Sequence, residues 1–170
     1  DGGGVLISQA IHTLDLMLSV TGPVKAVQAL AATTGLHQME SEDFVAGGLE
    51  FASGAVGSLF ATTAAYPGGA ESLRLDCDTG SILVQSGTIR IDRHSGQVER
   101  RGEEATTGGG ADPMAFPCDW HRDLIAGFAD AVRAGRDPVP SGDDAVAVQR
   151  LISALTRSSS SGRRIALADL

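Results

Sequence analysis

Apolar residues recur at helical spacing near the start of the chain, at Ile7, Ile11, Leu14 and Leu18, and predict a helix over residues 5–20 with one buried stripe. Gly22-Pro23 ends it, because glycine accepts a left-handed cap and proline cannot continue the helix. Ser8, His12, Asp15 and Ser19 repeat the same spacing one residue later. One residue is about 100° of rotation, so a polar stripe is expected to border the apolar one.

The pattern then changes period. Residues 24–34 and 44–52 read as strands, and Ser53-Gly54 is expected to turn the second into a third over residues 55–65. Leu73, Leu75 and Cys77 alternate with Arg74, Asp76 and Asp78, the period-two signature of a strand with one wet face. Thr79-Gly80 leads to a strand over residues 81–85, Ile89 and Ile91 mark another over 88–93, and Ser95-Gly96 closes a hairpin onto 97–101. Residues 102–117, with Gly108-Gly109-Gly110, lack a usable period and read as a long loop. Helical spacing returns over residues 119–134 through Leu124, Ile125, Phe128 and Val132, and Gly135 ends that helix. Ser141 is expected to cap a third helix, with Asp143 and Asp144 in its first turn and Val148, Leu151, Ile152 and Leu155 as its buried stripe. Residues 158–161, all serine, read as a turn before a last short strand over residues 163–167. The elements add up to one α+β domain, with helices on one face of a large, mainly antiparallel open sheet.

A chain of 170 residues buries one substantial core, so a single domain over residues 1–170 is expected. Its 22 glycines point to close backbone approaches in the sheet. Gly47, Ala55, Gly57 and Ala61 are expected to form a small-residue face that packs on another copy of the domain. The net charge of −8, with 13 basic residues spread thinly, argues against nucleic acid as a partner. No apolar run approaches the roughly 20 residues that a bilayer crossing requires, and no membrane partner is expected. Cys77 and Cys118 lie far apart without a Cys-x-x-Cys pair, which predicts free thiols in a reducing, cytoplasmic setting. The first residue is Asp1 rather than Met, which points to a piece of a longer polypeptide.

The chemistry is concentrated on the first helix. His12 is the candidate general acid/base, since imidazole moves a proton near neutral pH, and Asp15 one turn on is placed to orient it or to accept from a substrate hydroxyl. Read from the helix alone, a histidine at the margin of an apolar face is more often structural than catalytic, and Asp15 is then a solvated helix residue. Tyr66, the only tyrosine, offers a ring and a hydroxyl to a sugar-like ligand at a Pro-Gly turn, or else partly exposed packing. His121 at the start of the second helix either lines a pocket or caps the helix. With Ser8, these make the candidate substrate-binding set Ser8, Asp15, Tyr66 and His121. His37 and Glu40 lie in the loop before Glu42-Asp43. No histidine or cysteine pair has metal-ligand spacing, there is no Gly-x-Ser-x-Gly, and no strand runs into Gly-x-Gly-x-x-Gly to cradle a pyrophosphate. Neither a metal site nor a cofactor-binding site is therefore expected in this chain.

Several motifs stand in an order that resembles one family over nearly the whole chain. They are Gly2-Gly3-Gly4 before the His12-x-x-Asp15 helix, Glu42-Asp43, Glu50-Phe51, Ser53-Gly54, Ala64-Ala65-Tyr66-Pro67-Gly68, and the tail over residues 158–167. The chain resembles the C-terminal domain of the glucose-fructose oxidoreductase, inositol dehydrogenase and rhizopine-catabolism (Gfo/Idh/MocA) family. The resemblance implies a large open sheet following a dinucleotide-binding domain, a sugar, cyclitol or related polyol as substrate, and a homo-oligomer formed through the open sheet face. It implies NAD or NADP as cofactor, bound mainly by that preceding domain, which also supplies a catalytic lysine in a Glu-Lys-Pro motif. It assigns the acid/base role to His12 and places the Tyr66 segment near substrate. Members resembling the inositol dehydrogenases carry an aspartate one turn before the histidine, where this chain has Ser8. Either Asp15 substitutes for it, or the proton chemistry is altered, or the fold serves as a non-catalytic ligand-sensing or assembly module.

Overall fold

The computed structural model describes residues 3–103 and 118–170. The predicted loop falls from residue 104 onward outside the described residues. The chain divides into two compact units, one formed by the segments up to Ala65 and from His121 onward, the other running from Tyr66 to Trp120.

In the first unit a helical segment, Leu6–Ala10 continued by α1 (Ile11–Thr21), precedes β1 (Val24–Ala32), β2 (Phe44–Phe51) and β3 (Val56–Thr62). Helices α2 (Asp119–Ala134) and α3 (Gly142–Ser161) follow the second unit in sequence, and the two-residue β8 (Ile165–Ala166) completes an antiparallel sheet of order β3-β2-β1-β8. Register places Val27 opposite Leu49 and Ala31 opposite Val45, with Gly57 and Ala61 continuing those two rows on β3. This is the inner face: Val27, Val45, Leu49 and Phe51 are buried together with Val148, Leu151, Ile152 and Leu155 of α3 and Leu14 and Met17 of α1. The predicted stripe of α3 is thus the buried one, and its predicted Ser141 cap forms with Asp144 as a reciprocal capping box.

Three expectations are corrected. Gly47, Gly57 and Ala61 lie on the same side of the sheet as the buried Val27, Val45 and Leu49, and Ala55 lies in the turn after β2, so they do not share the side that bears Leu30 and Phe60. A Cβ on Gly47 would sit 3.1 Å from that of Ala29 across the strand pair, so its smallness serves strand-to-strand approach. The open face carries larger side chains: Leu30, Ala46 and Phe60 occupy one row, Leu30 and Phe60 are 62% and 66% exposed, and Phe44 meets Phe60 edge to face at 5.4 Å. Second, residues 158–161 are the last turn of α3, closed by Gly162 at φ 65°, because their hydroxyls have partners that a turn would not reach. Where β8 stops pairing with β1, Ala29 N–H donates to Ser158 Oγ at 2.9 Å and Ala31 N–H to Ser159 Oγ at 2.7 Å. Third, α2 forms as predicted but Leu124, Ile125, Phe128 and Val132 are exposed, and Ala131 is its one buried residue. Leu124, Ile125 and Phe128, with Pro138, Val139 and Pro140, line a shallow groove of about 380 Å³.

The second unit is an antiparallel meander of β4 (Ser72–Cys77), β5 (Gly80–Gln85), β6 (Thr88–Arg93) and β7 (Val98–Arg101) in sheet order. Period two sets its faces as expected, since Leu73 pairs with Val84 and Val84 with Ile89, while Arg74, Leu83, Arg90 and Arg100 share a row on the opposite side. The class is α+β with antiparallel sheet pairing, and the strands are divided between two four-stranded sheets.

Candidate active site

The helix that carries His12 is not capped by the residue preceding it. Its first two donors are taken by a residue 36 or more positions away: Val5 N–H donates to the Glu42 carbonyl at 2.8 Å and Leu6 N–H to Glu42 Oε1 at 3.2 Å. A carboxylate at this end also meets the positive pole of the helix. Gly4 permits the approach, since a side chain there would collide with the backbone oxygen and the carboxyl group of Glu42. The Gly4 carbonyl accepts from Ile7 N–H at 3.1 Å, Ser8 N–H at 2.9 Å and Ser8 Oγ at 3.0 Å.

Residues Leu6–Ala10 wind as a π turn, wider than the α-helix that follows. The fully buried positions are therefore Leu6, Ala10, Leu14 and Met17, while Ile7, Ile11 and Leu18 are half-buried. This corrects the predicted stripe and, with it, the polar one. His12 is two residues, about 200° of rotation, from the buried Leu14, so its imidazole stands on the side of the helix away from the core. Ser8, Asp15 and Ser19 are exposed as well. The helix brings Ser8, His12 and Asp15 to its open side, but among the described residues no hydrogen bond joins them, and the Ser8 hydroxyl is committed to Gly4. Of the other candidates, His121 is exposed in the first turn of α2, and Tyr66, 98% exposed, belongs to the second unit.

Sequence reasoning missed the network behind Glu42. Asp43 is fully buried and ties three strand ends together. Its N–H donates to the Ala32 carbonyl at 3.1 Å, and its own carbonyl accepts from Thr63 N–H at 3.0 Å and Thr62 Oγ1 at 2.8 Å. Its carboxylate accepts from Thr34 N–H at 2.7 Å, Thr34 Oγ1 at 2.6 Å and His37 Nδ1 at 2.8 Å. The Thr34 hydroxyl first, then the Thr34 N–H and His37, outweigh the opposing effect of burial and hold the Asp43 carboxyl down at about 2. With Asp43 ionised and able only to accept, Nδ1 is the donor of this bond, from a side chain 39% exposed. An acid beside Phe44 and Val45 at the head of an inward-facing strand, with a threonine and a histidine in the preceding ten residues, was the available signal.

Helix starts are where a dinucleotide's pyrophosphate would bind. The helix of His12 and α3 both begin against a carboxylate, Glu42 in one case and Asp144 in the other, and neither fits an anionic cofactor. Among the described residues, no group of three or more His, Cys, Asp or Glu is placed to hold a metal ion.

An α+β domain of this topology is the fold of the C-terminal half of nicotinamide-dependent oxidoreductases, as its solved neighbours demonstrate. Residues 1–83 match the model described as the GFO/IDH/MocA C-terminal domain. Levoglucosan dehydrogenase in complex with NADH superposes with a TM-score of 0.79 at 22% identity, over 98% of this chain and 50% of that one. The WlbA dehydrogenase of Bordetella pertussis, in complex with NADH and UDP-GlcNAcA, gives 0.74 at 26% identity over 96% and 48%. An oxidoreductase of Agrobacterium radiobacter in complex with NAD+, L-tartaric acid and magnesium gives 0.76 at 19% over 97% and 49%. The chain thus spans about half the length of the structures it resembles. No curated protein matches it by sequence.

Proposed function

We propose that this chain is the substrate-binding domain of an NAD(P)-dependent oxidoreductase acting on a sugar, cyclitol or related polyol, with His12 as its acid/base. The observation that carries this reading is the placement of His12. Its imidazole is exposed on the open side of a helix whose start is tied to the sheet, within the segment that matches the family. Oxidising an alcohol requires a group to take the hydroxyl proton as the hydride leaves, and an imidazole held at fixed height is suited to it. Ser8 and Asp15 share that side of the helix and bind substrate hydroxyls, and His121 is a further proposed contact. The hydride acceptor is the nicotinamide of NAD or NADP, held mainly by an N-terminal dinucleotide-binding domain outside this chain; the acidic helix starts here favour that division. Neighbours crystallised with NADH or NAD+ and with hydroxylated ligands support the same class.

On this reading the chain alone is inactive, works in the cytoplasm with Cys77 and Cys118 as exposed free thiols, and forms a homo-oligomer through the face bearing Leu30, Phe44 and Phe60. No helix among the described residues is long and apolar enough to cross a membrane. The deciding experiment is His12→Ala in the two-domain enzyme, which should abolish most turnover and leave folding intact. One observation favours a second reading, a non-catalytic ligand-sensing or assembly module: Ser8 is bonded to Gly4 and, among the described residues, no carboxylate is bonded to His12. Absence of turnover in the wild-type two-domain protein would favour that reading instead.

A further inference from the structure

We propose that Glu42 is a positioning residue for His12: it sets where the helix bearing the imidazole begins. The inference rests on the acid/base role given to His12 above. A helix start leaves its first backbone donors without intrahelical partners, and a residue just before the helix normally serves them. Here the donors of Val5 and Leu6 are served by both oxygen types of one distant residue, the carbonyl and the carboxylate of Glu42. Glu42 in turn has little freedom, because its neighbour Asp43 is buried and fixed through its backbone and carboxylate to Ala32, Thr34, His37, Thr62 and Thr63. The helix start is therefore referenced to the ends of β1, β2 and β3 rather than to a residue adjoining it in sequence.

The π turn fits this account. A π turn is an uncommon winding that persists where its surroundings hold it, and it lies between the Glu42 clamp and His12. Without the Oε1 contact, the carbonyl bond to Val5 alone would hold the end, and the first turn could rewind as α-helix. Rewinding changes the rotation accumulated before residue 11 and so turns the imidazole of His12 about the helix axis. Proton transfer is sensitive to such displacement: a misplacement of about 1 Å can cost on the order of a hundredfold in rate.

The test compares Glu42→Ala, Glu42→Gln and Glu42→Asp in the two-domain enzyme, measuring kcat, KM and melting temperature together. Glutamine keeps an acceptor at the same reach and should keep kcat within about twofold. Aspartate keeps the charge but falls short of Leu6 N–H, and alanine removes both; each should lower kcat roughly ten- to a hundredfold with KM changed less than about twofold. If Glu42→Ala does not fold, Glu42→Asp decides. Wild-type kcat in the shortened variants, or a loss that glutamine does not rescue, overturns the positioning role. Loss of turnover in His12→Ala alongside unaltered kcat in Glu42→Asp would defeat this inference alone, whereas normal turnover in His12→Ala would defeat the acid/base reading on which it rests.

Discussion

His37 Nδ1 lies 2.8 Å from Asp43 Oδ2, so a partly exposed imidazole from the loop after β1 closes over a carboxylate that solvent does not reach. Together with the two bonds from Thr34, this makes the charged form of Asp43 part of the folded state.

Acid should therefore act on this site first. Asp43 has a folded-state pKa of about 2 against an ordinary value of 3.8. Its contribution to stability is complete above the ordinary value and is lost as pH falls from there toward 2. We expect Asp43→Asn to melt well below the wild type at pH 6, by on the order of 5 °C or more, and the gap to narrow as pH drops through 4 to 2. Melting curves on both proteins across that range check it, and a gap independent of pH would contradict the assignment.

His12→Ala should lower turnover by about 10² to 10⁴-fold, the usual contribution of a positioned acid/base. Because the imidazole is exposed and no hydrogen bond to it is found among the described residues, stability should change by less than about 0.5 kcal/mol. Steady-state kinetics and a thermal melt on the same preparation separate the two effects. Ser8→Asp offers a companion measurement: a carboxylate one turn before His12 should shift the pH dependence of kcat if the pair couples.

Ser158 is fully buried, accepts from Ala29 N–H and donates to the Arg163 carbonyl at 2.6 Å. Ser158→Ala leaves one donor and one acceptor without their partner and should cost about 1–3 kcal/mol in urea unfolding. Ser160, exposed and bonded only to a carbonyl of its own helix, serves as the control and should change stability little when replaced by alanine.

The open face of the first sheet should govern assembly. Phe60→Lys places a charge beside Phe44 and Leu30, and light scattering should show the oligomer shifted toward monomer with the melting temperature nearly kept. A wild-type chain that is already monomeric at tens of micromolar would remove the basis for an oligomer through this face.

What was legible in the sequence was what local period and local caps control. The meander of the second unit followed from alternation and its turns, and α3 followed from Ser141 and Asp144 three residues apart. What was not legible depended on distant partners. The first helix appeared to bury Ile7, Ile11, Leu14 and Leu18 because a uniform 100° per residue was assumed, whereas its opening turn is π-wound and held by Glu42. The serines of α3 suggested a turn because serine favours helix interiors weakly, and their true partners lie on β1, 128 and 129 positions away. For α2, amphipathicity correctly announced a helix with an apolar face and was silent on what that face meets. At the candidate site, the residue types were visible in Ser8, His12 and Asp15, but the carboxylates that organise the region, Glu42 and Asp43, looked like an ordinary polar approach to a strand.

The serine hydroxyls along β1 also bear on how the chain behaves in company. A strand whose partner stops after two residues exposes a row of backbone donors and acceptors, and such a row recruits strands from other molecules. Ser158 and Ser159 occupy that row from within, one hydroxyl per alternate residue, with Ser159 both accepting from Ala31 N–H and returning a bond to the Ala31 carbonyl at 3.2 Å. A helix thereby does the work of a missing strand. Substituting both serines would open a template for fibrous or domain-swapped growth, so the buried hydroxyl of Ser158 and the half-buried one of Ser159 guard this edge against other molecules.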